Sequence, residues 1–159
     1  MDLDAQIQGL IADAPQDGST PALVEAIAPV LKLLAGRLRH LQYYIVQTLD
    51  QDWAITTLEN REQSTLTKNV VYAFPGLKDA TQGPYPVQDP QMISLPVPSA
   101  HILFQMLVVE AIDSIVFFEV PGNAEVGIEI GREELNQLIQ SHLSNLQPSI
   151  ESQVPPNIA

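Results

Sequence analysis

The sequence predicts an α+β domain: a mixed or mainly antiparallel sheet of roughly five to six strands, carrying N-terminal helices, a central apolar helix and a C-terminal helix. Three observations predict it. The hydrophobic period changes at Leu41 from a helical stripe to β-branched and aromatic runs. Those runs (LQYYIVQTL, WAITTLE, TKNVVYAF, MISLPV, SIVFFEV, VGIEI) are bounded by Pro, Gly, Asp and Asn, as strands are. Between the fourth and fifth of them lies AHILFQMLVVEAI, residues 100–112, which reads as a helix apolar nearly all round.

In chain order, residues 2–14 form a short amphipathic helix with Ile7, Leu10 and Ile11 on one side. DAPQDGSTP is a hinge. Thr20 caps a second helix, and Pro21 takes its first position, where a missing N–H costs nothing. Leu23, Val24, Ile27, Val30, Leu31, Leu34 and Leu38 make its stripe, and Pro29 is expected to kink or split it. Arg37 and Arg39 close the C-terminal end, where positive charge suits the helix dipole. LQYYIVQTL and WAITTLE form a hairpin across DQD, and residues 67–74 make a third strand that breaks at Pro75–Gly76. LKDATQ is a short helix and GPYPVQDP a loop. The prolines of MISLPV suit an edge strand. Ser99 is placed to cap the apolar helix. SIVFFEV, an unbroken apolar run, is a strand buried on both faces, whereas VGIEI alternates and is half exposed. Gly131 ends that strand, and REELNQLIQSHLSNL is a last amphipathic helix. One domain over residues 1–147 is expected, followed by a flexible Pro-containing tail over 148–159.

Composition narrows the function classes. The 159 residues contain no cysteine, which removes disulfides, thiolate metal sites and cysteine nucleophiles together. No apolar run approaches the roughly 20 residues of a bilayer span. MDLDAQIQGL is acidic and lacks a basic leader region, so a cytoplasmic protein is expected. The net charge of −12 is uneven: residues 81–159 hold nine acidic side chains and one basic one, Arg132. Such a surface repels phosphate backbones, so nucleic acid is not an expected partner and membrane insertion is not expected. The charge serves solubility or attracts a partner bearing Lys or Arg.

Chemistry-bearing motifs are sparse. His40, His101 and His142 are far apart in sequence and form no HExxH pair, so no metal or cofactor is expected. The glycines make no GxGxxG or GxxxxGK loop, and no GxSxG elbow occurs. Glu133 and Glu134 open the last helix, where negative charge is expected on structural grounds alone. Asp113 suits a turn. On helix 100–112, His101 and Glu110 point to different sides. Glu119 shares a strand face with Ile115 and Phe117; it fits an emergence at the sheet rim, or a buried acid or base. A small enzyme using Glu119 or His101 as general base is therefore the alternative to a non-catalytic protein.

The outer face of helix 100–112 carries the stronger signal. Leu103 and Leu107 suffice to pack it on the sheet, yet Phe104, Val108 and Ile112 also need cover. Either the N-terminal helices bury them, or they form a groove for another chain together with His101, Gln105 and Trp53 of the aromatic hairpin. The expected partner is a protein or peptide segment, basic and apolar, with self-association through the same helix as a further possibility.

The succession NVVYAFPGLKDA, ISLPV, the apolar helix, DSIVFFEVPGN and REELNQLI resembles the N-terminal domain of SseB-type proteins over residues 67–140. That resemblance implies an α+β fold and no catalytic residues. The acidic, cysteine-free composition, rich in Gln and Pro, is also similar to that of cyanobacterial carboxysome accessory proteins. Members of that family bind the C-terminal extension of a shell protein, which implies an adaptor or assembly factor located at the carboxysome.

Overall fold

The computed structural model describes residues 2–14, 20–50, 52–59, 67–82 and 92–151. The expected loop over GPYPVQDP, most of the DAPQDGSTP hinge and residues 152–159 of the expected tail lie outside the described residues.

The chain runs α1 (Leu3–Asp13), α2 (Thr20–Ala35), β1 (Gln42–Thr48), β2 (Thr56–Glu59), β3 (Thr67–Phe74), α3 (Leu77–Gln82), β4 (Met92–Pro98), α4 (Ser99–Val108), β5 (Ser114–Val120), β6 (Asn123–Gly131) and α5 (Arg132–Glu151). The fold is α+β with a mixed sheet. Its main path is β4-β1-β3-β5-β6, with β2 joined to β3 off that path. β3 and β5 are parallel, and the other pairs are antiparallel.

Alternation on the strands divides the sheet into two unequal sides. Tyr43, Ile45, Val71, Ala73, Ile115, Phe117 and Ile130 enter the larger core, beneath Ile27, Leu31 and Leu34 of α2, Ile102, Leu103 and Met106 of α4, and Leu135 of α5. Val46, Phe74, Phe118 and Ala80 of α3 form a smaller core on the opposite side. There Phe118 stacks on Tyr72 and on Phe74, with centroids 5.6 and 5.4 Å apart. Strand β5 is thus buried on both sides, as its unbroken apolar run requires.

Local capping follows familiar rules at α1, where the Asp2 carboxylate accepts from Ala5 N at 2.7 Å. Five expectations are corrected. α2 runs unbroken through Pro29, because Pro29 and Glu25, whose carbonyl loses its donor, both lie on the exposed side where water serves it. The predicted hairpin forms only at its base: Trp53 bridges Gln47 and Ala54 N donates to Val46 O, but β2 leaves to pair with β3. The central helix stops at Val108, four residues short of Ile112, because Val109 turns extended. Arg132 then donates to the carbonyls of Met106, Val109 and Ile112, replacing the bonds a longer helix would have supplied. At the other end Ser99 is not the cap but the first helical residue, since Pro98 holds the cap position without a side-chain hydrogen bond. The last helix, expected to close at Leu146, continues through Pro148 to Glu151.

Candidate functional site

The outer face predicted on the central helix exists, but α1 covers its first half. His101 Nε2 donates to Gln6 O at 2.8 Å; a carbonyl can only accept, so this nitrogen carries the proton. The Gln6 side chain, itself 1% exposed, completes the junction. Its Oε1 accepts from Ala100 N at 2.8 Å and from Ser99 Oγ at 3.4 Å, and its Nε2 donates to Leu41 O at 2.8 Å. Gln6 therefore supplies from a distant element the cap that Pro98 cannot. His101 is part of this junction.

Beyond α1 the face opens. Phe104 and Gln105 are half-buried, and Val108 is 59% exposed. Ile112 is a correction: it is fully buried in the larger core, so it offers nothing to a partner. The chain leaves the helix after Val108, and Ile112 turns inward on the way to β5.

Trp53 is half-buried against the same core. Its bridge partner Gln47 is paired on the other side with Ile93 of β4, so Ile93, Gln47 and Trp53 form a row on the helix-bearing side of the sheet. In the next row Leu95 stands beside Ile45. Ile93 and Leu95 are each 37% exposed. Sequence reasoning missed these two residues, although the alternation of MISLPV at a Pro-bearing edge strand was the available signal.

Glu119 does not emerge at the rim. It is 3% exposed, and both carboxylate oxygens are occupied: Oε1 accepts from Tyr43 OH at 2.6 Å and Oε2 from Arg39 N at 2.7 Å. His40 Nε2 donates to the Glu119 main-chain oxygen at 2.8 Å. Burial, and then the bond to Glu119, push the Tyr43 phenol pKa well above its ordinary value. These contacts pin the Arg39–His40 turn between α2 and β1 to the end of β5. Each carboxylate oxygen thus accepts from one protein donor, and the group holds the turn in place.

On the far side of the sheet, Glu129 pairs with Lys68 and accepts from Ser114 Oγ at 2.6 Å, which holds its carboxyl below the usual glutamate range. Asp113, expected to serve a turn, instead accepts from Asn69 N of β3 at 2.8 Å across the sheet. Shallow open grooves among the described residues include two that carry charged side chains. One of about 660 Å³ runs between α1 and α2 past Ile7, Ile11, Pro29 and Leu33, with the Lys32–Asp4 ion pair across it. Another of about 570 Å³ lies beside Lys68, Asp113, Arg132 and Glu133. Glu119 lines neither. Among the described residues no three His, Asp or Glu side chains gather as metal ligands, and no helix is long and apolar enough to cross a membrane.

Compared with known proteins, the chain matches no family model, no curated protein and no solved structure at a significant level.

Proposed function

We propose that this chain is a non-catalytic adaptor that holds a segment of another protein against the helix-bearing side of its sheet. The observation that carries the reading is a set of apolar side chains there: Ile93 and Leu95 on β4 and Val108 at the end of α4, all exposed, and the half-buried Trp53 in the row of Ile93. Single exposed apolar residues are ordinary; here Ile93 and Leu95 share one face of an edge strand, with Trp53 in the row of Ile93. Covering a Val, Leu or Ile fully contributes about 1.5–3 kcal/mol, so a partner seated on part of this set gains a useful fraction of that for each residue. The net charge of −12 steers a partner that carries Lys or Arg around its apolar core. The burial of Glu119 and its place outside the grooves described above weigh against its use as a general base. From the resemblance to carboxysome accessory proteins, the C-terminal extension of a shell protein is the first segment to try.

The test compares the unaltered chain with a Val108→Asp, Ile93→Asp double variant in binding that segment and in capture from native extract. Val108 and Ile93 are exposed, so the variant is expected to melt within a few degrees of the parent and to lose at least about tenfold in affinity. Equal binding by both proteins overturns the reading. Sedimentation of the unaltered chain separates it from self-association: a dimer that the double variant dissolves assigns the face to a second copy instead.

A further inference from the structure

Among the described residues no strand pairs with the outer edge of β4 or of β6, and the two edges differ. In β4, the bond from Ser99 N to Leu41 O at 2.9 Å sets the phase of the ladder with β1. By two-residue alternation, Val97, Leu95 and Ile93 turn their main-chain groups to β1, while Pro98, Pro96, Ser94 and Met92 turn theirs outward. Two of the outward positions are prolines and carry no N–H. This edge is obstructed by its own sequence.

In β6, the bond from Arg132 N to Asp113 O at 2.8 Å sets the phase with β5. Ile130 and Ile128 face β5, so Gly127, Glu129 and Gly131 turn their N–H and C=O groups outward. None of these is proline and two lack a side chain. Gly127 and Glu129 are exposed to solvent.

We propose that the free edge of β6 accepts an extended segment of a partner protein in which Lys or Arg alternates with apolar residues. This rests on the reading of the chain as a binding module, but not on the face around Val108. Main-chain pairing supplies affinity, and the side chains on the two sides of the edge supply selectivity. On the helix-bearing side stand Ile128 and Val126, the latter 38% exposed. On the other side stands Glu129, and Glu133 at the start of α5 lines the same groove as Lys68, whereas Glu134 is already paired with Arg37. Arg132 is the single basic residue in positions 81–159, and its guanidinium is turned inward onto three carbonyls. Lys68 is already paired with Glu129. An incoming cation on that side meets carboxylates. A second copy of β6 would instead bring its own Glu129 to the same side, and like charges across a strand pair are unfavourable.

The probe is a short, end-blocked, fluorescent peptide alternating Lys and Val, compared with the same peptide N-methylated on alternate residues along one edge, which keeps the charge and removes the donors. The plain peptide is expected to bind at least about tenfold tighter by anisotropy. Glu129→Pro, which removes an outward N–H without breaking the ladder to β5, is expected to cost about the same factor. Glu129→Gln keeps the N–H and is expected to cost about threefold, a loss that shrinks in high salt. Equal binding of the two peptides overturns the proposal. So does a dimer in sedimentation that Glu129→Pro dissolves, since the occupant is then a second copy. If Glu129→Pro does not fold, the comparison of peptides on the unaltered chain decides alone. Failure of the peptide with Val108-dependent capture intact overturns the edge site and leaves the adaptor reading standing.

Discussion

Phe117 and Phe118 are neighbours in sequence, yet one packs among Tyr43 and the helices of the larger core while the other stacks on Tyr72 and Phe74 above the short helix α3. The helix-bearing side of the sheet is deep, and it holds its polar groups by neutral donors, as at Gln6 and Glu119. The opposite side has a thin cover and a half-exposed ion pair, Lys68–Glu129. The difference teaches that depth sets how a carboxylate is kept. Where water is excluded, main-chain and phenolic hydrogen bonds hold it; where water reaches, a lysine does.

The largest expected effect sharpens this contrast directly. Phe117→Ala should destabilise by about 4 kcal/mol and Phe118→Ala by about 3 kcal/mol, because the thinner side relaxes more readily around a cavity. Urea titration of both variants measures it, and a reversed order would break the comparison. Next, Glu119→Ala leaves Arg39 N–H and the Tyr43 hydroxyl without their acceptor in a buried site, for a loss of about 2–3 kcal/mol. A loss under about 1 kcal/mol would mean that the turn is held by something else.

The smallest effects lie in the pH dependence, and they have opposite signs on the two sides. Tyr43 keeps its proton in the folded state above the pH where the unfolded chain releases it. Its contribution is therefore complete below about pH 10 and falls at higher pH, by up to about 1.4 kcal/mol per unit. Tyr43→Phe should abolish that fall. Glu129 has a lowered folded pKa, so its contribution is present above about pH 4.5 and is lost as pH drops through the folded value. Both partners are nearly half exposed, which keeps this term below about 1 kcal/mol. Lys68→Met should shrink the acid-side loss, with the Ser114 bond retaining part of it, while leaving the alkaline one in place.

Much of the secondary structure was legible because it rests on short-range pattern. The alternation of VGIEI, the unbroken run SIVFFEV and the stripe from Val24 to Leu34 each report one element's own burial. The candidate site was legible only in part. The spacing of His101, Phe104, Gln105 and Val108 locates an outward helical face, but nothing local says that α1 folds back over His101 or that the helix stops before Ile112. Trp53 was visible as an aromatic residue, while its row partner Ile93 required the register between β1 and β4.

By itself, then, the sequence determined which segments are helices and strands, which side of each is apolar, and that the surface is strongly acidic, since these depend on residue type and spacing over a few positions. Tertiary structure alone decided that Glu119 is enclosed and Glu129 is not, that Gln6 caps α4 from across the chain, and that Arg132 serves the carbonyls at the end of that helix. Each of those outcomes joins groups about 20 or more residues apart, or places two similar carboxylates at different depths. Only packing of the whole chain sets such distances and such access to water.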